Sequence, residues 1–197
     1  MKLGIIGLGN LGLNLLRCFA ERQHEIYVSD VDGDNYEVIK NSDVIFCCVN
    51  TEILPSNIYD IKNVMDVVED FGVAFEEEVP LVDKIVVLCS TMNPGDTREI
   101  SDILTPMNLR VCYLPLTLSS DNYIDSLQSQ EKIIVGSIDP YTVNIVGTLI
   151  SDFQKKPTTI VSMTSKSAEL CKLALNSYTA YKINFANMMG ELLTNYD

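Results

Sequence analysis

Gly7-Leu8-Gly9-Asn10-Leu11-Gly12 follows the spacing G-x-G-x-x-G, directly after the apolar run Lys2 to Ile6 and at the start of an amphipathic stretch. In that setting the pattern serves a phosphate. Gly7 allows the tight turn, Gly9 lets the backbone approach a pyrophosphate, and Gly12 lets a helix pack close to a sheet. The helix N-terminus, at Asn10 and Leu11, then offers amide donors and positive potential to the anion. A second apolar run ends at Ser29-Asp30, so Asp30 lies 21 residues after Gly9. A carboxylate there is placed to hydrogen-bond the adenosine ribose hydroxyls of a dinucleotide. Asp30, Asp32 and Asp34 would repel a 2′-phosphate and no arginine follows to receive one, so NAD is favoured over NADP. The plainer reading of Asp30 is a cap on the strand-to-turn junction.

Further along, Lys172 and Asn176 are four apart, and on a helix they project from one face toward a common point. Removing hydride from an alcohol carbon requires that the hydroxyl proton be accepted or the developing alkoxide stabilised, and a lysine beside an amide can do either. Taken alone, the same residues read as a solvated lysine and a packing asparagine.

The elements that must hold these groups alternate between short apolar runs and helix-length amphipathic segments. Strands are expected at Lys2 to Ile6, Glu25 to Ser29, Asp43 to Val49, Lys84 to Cys89, Arg110 to Tyr113, Lys132 to Val135 and Thr158 to Val161. Helices are expected at Leu11 to Arg22, Ile58 to Phe71 with an extension toward Glu78, Asp96 to Leu104, Tyr141 to Phe153, and Ser165 to about Thr194. The fold class is α/β: a Rossmann-like, doubly wound, mainly parallel sheet followed by one long C-terminal helix. Residues 1–162 form the cofactor domain and 163–197 begin the helix, whose Ala168, Cys171, Leu175, Tyr178 and Phe185 define a face to be buried. About 30 residues of helix span roughly 45 Å, longer than this domain needs, so part of it should pack on another chain or domain.

Composition narrows the class. The 197 residues are 47% hydrophobic, enough for a substantial core, and carry a net charge of −13 that would repel nucleic acid over most of the surface. No apolar run approaches the roughly 18 to 20 residues of a membrane span, and the first residues lack the order of a signal peptide, which points to a soluble cytoplasmic protein. The cysteines Cys18, Cys47, Cys48, Cys89, Cys112 and Cys171 read as reduced core residues, and a single histidine, His24, at a turn, leaves a metal site almost no ligands.

Four blocks give the chain a resemblance to the UDP-glucose/GDP-mannose dehydrogenase family, which oxidises C6 of a nucleotide sugar with NAD. The opening Lys2 to Gly9 resembles its first strand and turn. Ser42-Asp43-Val44-Ile45-Phe46-Cys47-Cys48-Val49-Asn50-Thr51 is similar to the strand and turn on its nicotinamide side. Ser90-Thr91-Met92-Asn93-Pro94-Gly95-Asp96-Thr97 is similar to its S-T-x-x-P-G-x-T block. Ala168 to Tyr178, with Ile183 to Asn187, resembles the start of its central helix. The resemblance implies Val49, Thr51, Ser90 and Thr91 against the cofactor, Thr91 also at the reacting centre, and Lys172 and Asn176 holding substrate oxygen and water. It also implies a homodimer through the long helix and a nucleotide-sugar substrate.

The chain departs from that family in three places. Only ten residues separate Asp32 from Asp43, too few for a crossover helix plus a third strand, so both are expected to be missing and the sheet edge beyond the second strand exposed. Pro115-Leu116-Thr117-Leu118-Ser119-Ser120-Asp121 stands where the family has P-E-F-L-x-E-G, with Leu116 and Ser120 in place of the glutamates. The sequence ends at Asp197, before the family's catalytic cysteine and nucleotide-sugar domain, and Cys171 is expected to be core. These features support the NAD-binding part of a nucleotide-sugar 6-dehydrogenase, an excised or split portion that is incomplete alone, with the remaining catalytic parts supplied in trans. The alternatives are a catalytically decayed NAD module serving as sensor or assembly partner, and a β-hydroxyacid-type dehydrogenase.

Overall fold

A computed structural model describes residues 1–30, 33–118 and 122–194. In chain order the elements are β1 (Lys2–Ile6), α1 (Asn10–Ala20), β2 (Glu25–Ser29), α2 (Tyr36–Asn41), β3 (Val44–Cys47), β4 (Glu52–Ile53), β5 (Tyr59–Asp60), α3 (Lys62–Glu76), β6 (Ile85–Leu88) and α4 (Asp96–Leu104). A short 3-10 turn (Thr105–Met107) follows, then β7 (Arg110–Tyr113), α5 (Tyr123–Gln128), β8 (Lys132–Gly136), α6 (Pro140–Asp152), β9 (Thr159–Met163) and α7 (Ser165–Thr194).

The main sheet has the order β2-β1-β3-β6-β7-β8-β9, and β4 and β5 pair separately as a hairpin. Every neighbour in the main sheet runs parallel except β7 and β8, which meet antiparallel at Tyr113 and Gly136. The central strands β3 and β6 are buried at every position, as a strand covered on both faces must be, which is why they read as unbroken apolar runs. One face packs against α1, α5 and α6 around Leu15, Phe19, Phe46, Val146 and Phe153. The other packs against α2, α3 and α4 around Ile39, Val64, Phe71, Ile100 and Leu104.

From β1 the chain winds outward to β2 and then returns across β1 to β3, so the winding reverses between β1 and β3. In open α/β sheets that switch point is where the loops at the strands' carboxyl ends part and leave a crevice.

The structure adds to and corrects several expectations. No strand lies beyond β2 among the described residues, and β2 is accordingly half exposed. The crossover itself is not bare: α2 fits into it, with Val38 and Ile39 buried and Tyr36 N–H donating to Asp34 Oδ1 at 2.8 Å. One and a half turns of helix with two apolar contacts suffice when no third strand has to be reached. Asp32 lies outside the described residues. Helix α3 begins at Lys62 rather than Ile58, because Tyr59–Asp60 pairs with Glu52–Ile53 in a hairpin of two residues per strand, too short to leave a sequence period. Helix α5 went unforeseen; Asn122 caps it by accepting from Asp125 N–H at 3.0 Å. His24 follows the turn after α1 as expected and is half-buried there, edge-on to Phe19 with its ring nitrogens unpartnered among the described residues.

Helix α7 runs its expected length, but only Ala168 and Glu169 are buried. Cys171, expected in the core, is exposed, and so are Leu175, Tyr178 and Phe185. The apolar stripe is present on the helix, but this chain covers only its beginning.

Candidate functional site

The glycine turn closes against the switch point. Gly7 has φ +92°, a conformation side chains rarely adopt, and a Cβ there would lie 2.8 Å from the backbone of Cys48 and Val49. Its N–H donates to Ser29 O at 2.9 Å, tying the turn to the end of β2. A Cβ on Gly12 would stand 1.9 Å from Gly7 O, so helix α1 can approach the turn this closely only without a side chain. Gly9 is the opposite case: a Cβ there would meet nothing within 4 Å. Its lack of a side chain answers no internal contact, which is what a position reserved for an approaching ligand requires. Helix α1 has no side-chain cap and no acidic residue in its first turn, so its N-terminal amides stay available to an anion.

Asp30 bends back to this turn, its Oδ1 accepting from Leu8 N–H at 3.1 Å. The carboxylate thus braces the glycine turn as well as lining the cleft. A cleft of about 710 Å³ opens at the turn, lined by Gly7, Gly9, Asn10, Leu11 and Asp30 together with Val49, Thr51, Ser90, Thr91 and Lys172. The turns after β3 and β6 are locked together by two hydroxyls. Ser90 Oγ donates to Val49 O at 2.6 Å, and Thr51 Oγ1 donates to Thr91 O at 2.8 Å. Both hydroxyl protons are thereby committed to the backbone.

Lys172 enters from α7 and donates from Nζ to the carbonyl of Leu116. Burial lowers its pKa from the ordinary lysine value, an effect opposed by nearby Cys89. A lysine desolvated in this way gives up its proton more readily than one in water, which suits either proton acceptance or oxyanion stabilisation. Asn176, one turn further, is exposed and is not among the residues lining the cleft. The helix carries the lysine inward and leaves the amide beyond the rim.

Glu169, a residue that sequence reasoning passed over, sets this placement. It is fully buried, with Oε1 accepting from Thr97 N–H at 2.8 Å and Oε2 from Gly95 N–H at 2.6 Å. A carboxylate on α7 therefore caps the N-terminus of α4, where amides lack intrahelical partners and the helix dipole favours negative charge. The Ser90–Thr91 turn leads into α4, so this one side chain joins the block bearing Thr91 to the helix bearing Lys172. Its position one turn before Lys172, on the helix face that also carries Asn176, was the available signal. Asn63 and Asp66 on α3 also line the cleft, Asn63 Nδ2 donating to Asn50 O at 2.9 Å.

At the altered substrate block, Leu116 is buried in the core and Leu118 lines the cleft. Ser119, Ser120 and Asp121 lie outside the described residues.

A glycine turn with an open central position, a carboxylate at the end of the second strand and a cleft at the switch point define a Rossmann-type dinucleotide-binding domain. The particular family follows from the sequence. Residues 33–154, well over half of the chain, match the UDP-glucose/GDP-mannose dehydrogenase family, NAD binding domain, and the chain belongs to that family. Two relatives illustrate the range. The UDP-glucose 6-dehydrogenase of Pseudomonas aeruginosa is 22% identical over 98% of this chain and 51% of its own length. Uncharacterized protein MJ1054 of Methanocaldococcus jannaschii is 28% identical over 80% of this chain and 18% of its own. In fold, the chain is similar to the GDP-mannose dehydrogenase of Pseudomonas aeruginosa solved as a ternary complex. The TM-score is 0.82 at 22% identity, over 95% of this chain and 52% of that one. The chain thus spans about half the length of the curated dehydrogenases it matches. Among the described residues no helix is long and apolar enough to cross a membrane.

Proposed function

We propose that this chain is the NAD-binding part of a nucleotide-sugar 6-dehydrogenase, taking hydride from the C6 hydroxyl of a UDP-glucose- or GDP-mannose-class substrate. One observation carries the reading: the glycine turn, Asp30, the Thr51 and Thr91 turns and Lys172 all line a single cleft at the switch point. NAD bound there would supply the hydride acceptor. The chain's residues divide the remaining work. Gly7, Gly9 and Gly12 with the amides of Asn10 and Leu11 take the pyrophosphate, and Asp30 takes the ribose hydroxyls. Val49, Thr51, Ser90 and Thr91 form the wall on the nicotinamide side. Lys172, held deprotonation-prone by burial, accepts the hydroxyl proton or steadies the oxyanion, and Asn176 assists at the rim once a further domain or chain covers it.

In this reading residues 1–162 are the cofactor domain and 163–197 begin a central helix on which a second copy of the chain packs in a cytoplasmic homodimer. Supporting it is the row of exposed apolar side chains on α7, Tyr178, Tyr181, Ile183, Phe185 and Met188 among them. The nucleotide-sugar-reading half would be joined in trans or as further sequence. The test is calorimetric titration with NAD and then, at saturating NAD, with UDP-glucose and GDP-mannose. Binding of NAD followed by one nucleotide sugar supports the reading, and absence of NAD binding overturns it.

A second reading has its own observation. Leu116 is buried and apolar where the family carries a substrate glutamate, and its carbonyl occupies the Lys172 ammonium. A decayed module serving as sensor or assembly partner would bind NAD yet form no NADH with any nucleotide sugar, even when supplied with the C-terminal half of a relative.

A further inference from the structure

Two thiols in the cleft have no part in the proposed chemistry. Cys48 directly follows β3 and Cys89 directly follows β6, whose last register pair is Cys47 with Leu88. Cys89 N–H donates to Cys47 O at 2.9 Å and carries the ladder one residue further. Cys48 and Cys89 are therefore cross-strand neighbours on the same face of the sheet, both packed into the core with Phe46 and Val87. Adjacent strands lie about 4.8 Å apart, inside the range of about 4.4–6.8 Å that a disulfide spans between Cα atoms. The Cys89 thiol donates to Val87 O at 3.8 Å, and neighbouring Cys89 together with burial pushes the Cys48 thiol well above the ordinary thiol range. Cys48 and Cys89 are among the residues lining the cleft, whereas Cys18, Cys47 and Cys112 are not. Lys172 lines the same cleft.

We propose that Cys48 and Cys89 are an oxidant-sensitive dithiol, which hydrogen peroxide entering the cleft converts to a disulfide that weakens NAD binding. The Cys89 sulfur attacks a peroxide oxygen; the O–O bond breaks, Cys89 becomes a sulfenic acid, and the departing hydroxide takes up the thiol proton as water. The Cys48 sulfur then attacks the Cys89 sulfur; the S–S bond forms, the S–O bond breaks, and a second water departs with the Cys48 proton. The two sulfurs lose two electrons and peroxide gains them. The consequence for the cofactor lies in the floor of the glycine turn. A Cβ on Gly7 would lie 2.8 Å from the Cys48 carbonyl carbon, and one on Gly12 would lie 3.3 Å from Cys48 Cβ. Drawing Cys48 toward Cys89 therefore moves the surface against which the turn is seated. The effect on affinity rests on the proposed cofactor reading, whereas formation of the disulfide does not.

The test uses the full chain carrying Cys171→Ser, which removes the exposed thiol. It is treated with hydrogen peroxide, alkylated and mapped by peptide mass spectrometry, with NAD titrations before oxidation, after it, and after dithiothreitol. The expected result is a Cys48–Cys89 linked peptide lacking two hydrogens, NAD binding weakened several-fold and restored by dithiothreitol, and slower linkage when NAD is already bound. Both thiols remaining alkylatable, Cys89 oxidised without linkage to Cys48, or linkage that leaves NAD affinity unchanged would overturn the proposal. If the reduced chain does not bind NAD, the cofactor reading fails, while the peptide map still decides whether the dithiol closes.

Discussion

Gly9 and Gly12 share a motif but answer to different neighbours, and that difference is measurable. An alanine Cβ at Gly12 would stand 1.9 Å from Gly7 O, so Gly12→Ala should destabilise the fold by about 1–3 kcal/mol or more in urea denaturation. At Gly9 the Cβ meets nothing, so Gly9→Ala should change stability by no more than about 0.5 kcal/mol while weakening NAD binding. Equal loss of stability in the two variants would mean that Gly9 serves packing. Asp30→Ala should weaken NAD about ten- to a hundredfold, the equivalent of losing one charged hydrogen-bonding group at about 1.5–3 kcal/mol; unchanged affinity in titration would remove the ribose assignment. Lys172 gives a pH-dependent prediction. Burial lowers its folded-state pKa, so the unfolded chain holds the proton more tightly, and keeping the lysine charged costs stability below the folded pKa. That cost disappears as pH rises from the folded pKa to the ordinary lysine value. Relative to Lys172→Met, the wild type should therefore gain stability across that interval, and a pH-independent difference would contradict a partly desolvated lysine.

At the scale of elements, the link between α7 and α4 rests on Glu169. Glu169→Ala would leave the amides of Gly95 and Thr97 without their acceptor in a buried setting, at a cost of about 2–4 kcal/mol in chemical denaturation. A loss below about 0.5 kcal/mol would mean that water replaces the carboxylate. This element relation was not legible in the sequence, because Glu169 is joined to residues more than 70 positions away and nothing local marks the partner. Strands β1, β2, β7, β8 and β9 and helices α1, α4 and α6 were legible within two residues, since each carries its own apolar period. The elements that escaped, α2, α5 and the β4–β5 hairpin, are six residues or fewer, and tertiary packing rather than periodicity decides them. The site divided the same way. The glycine turn, Asp30 and Lys172 could be placed from spacing and resemblance, whereas Asn63, Asp66, Cys48 and Cys89 line the cleft only because the sheet order brings their elements together.

For the whole molecule, the unpaired apolar stripe of α7 and the cofactor cleft make separate claims. Tyr181, 66% exposed in a row of apolar neighbours, should lie in the contact between two copies. Light scattering should then report a dimer for the wild type and a monomer for Tyr181→Glu, and a wild-type monomer at high concentration would count against the helix as the dimer contact. The cleft is the more central claim, because the switch point, the glycine turn and the family assignment all converge on it. The measurement that tests it most directly is thermal unfolding of the chain with and without NAD. At about 100 times its dissociation constant, a ligand that binds only the folded state adds about 2.7 kcal/mol. For a domain of this length that raises Tm by roughly 5–10 °C. A rise of that size with NAD, and a smaller one with NADP, is the predicted result, and an unchanged Tm with saturating NAD would contradict the account.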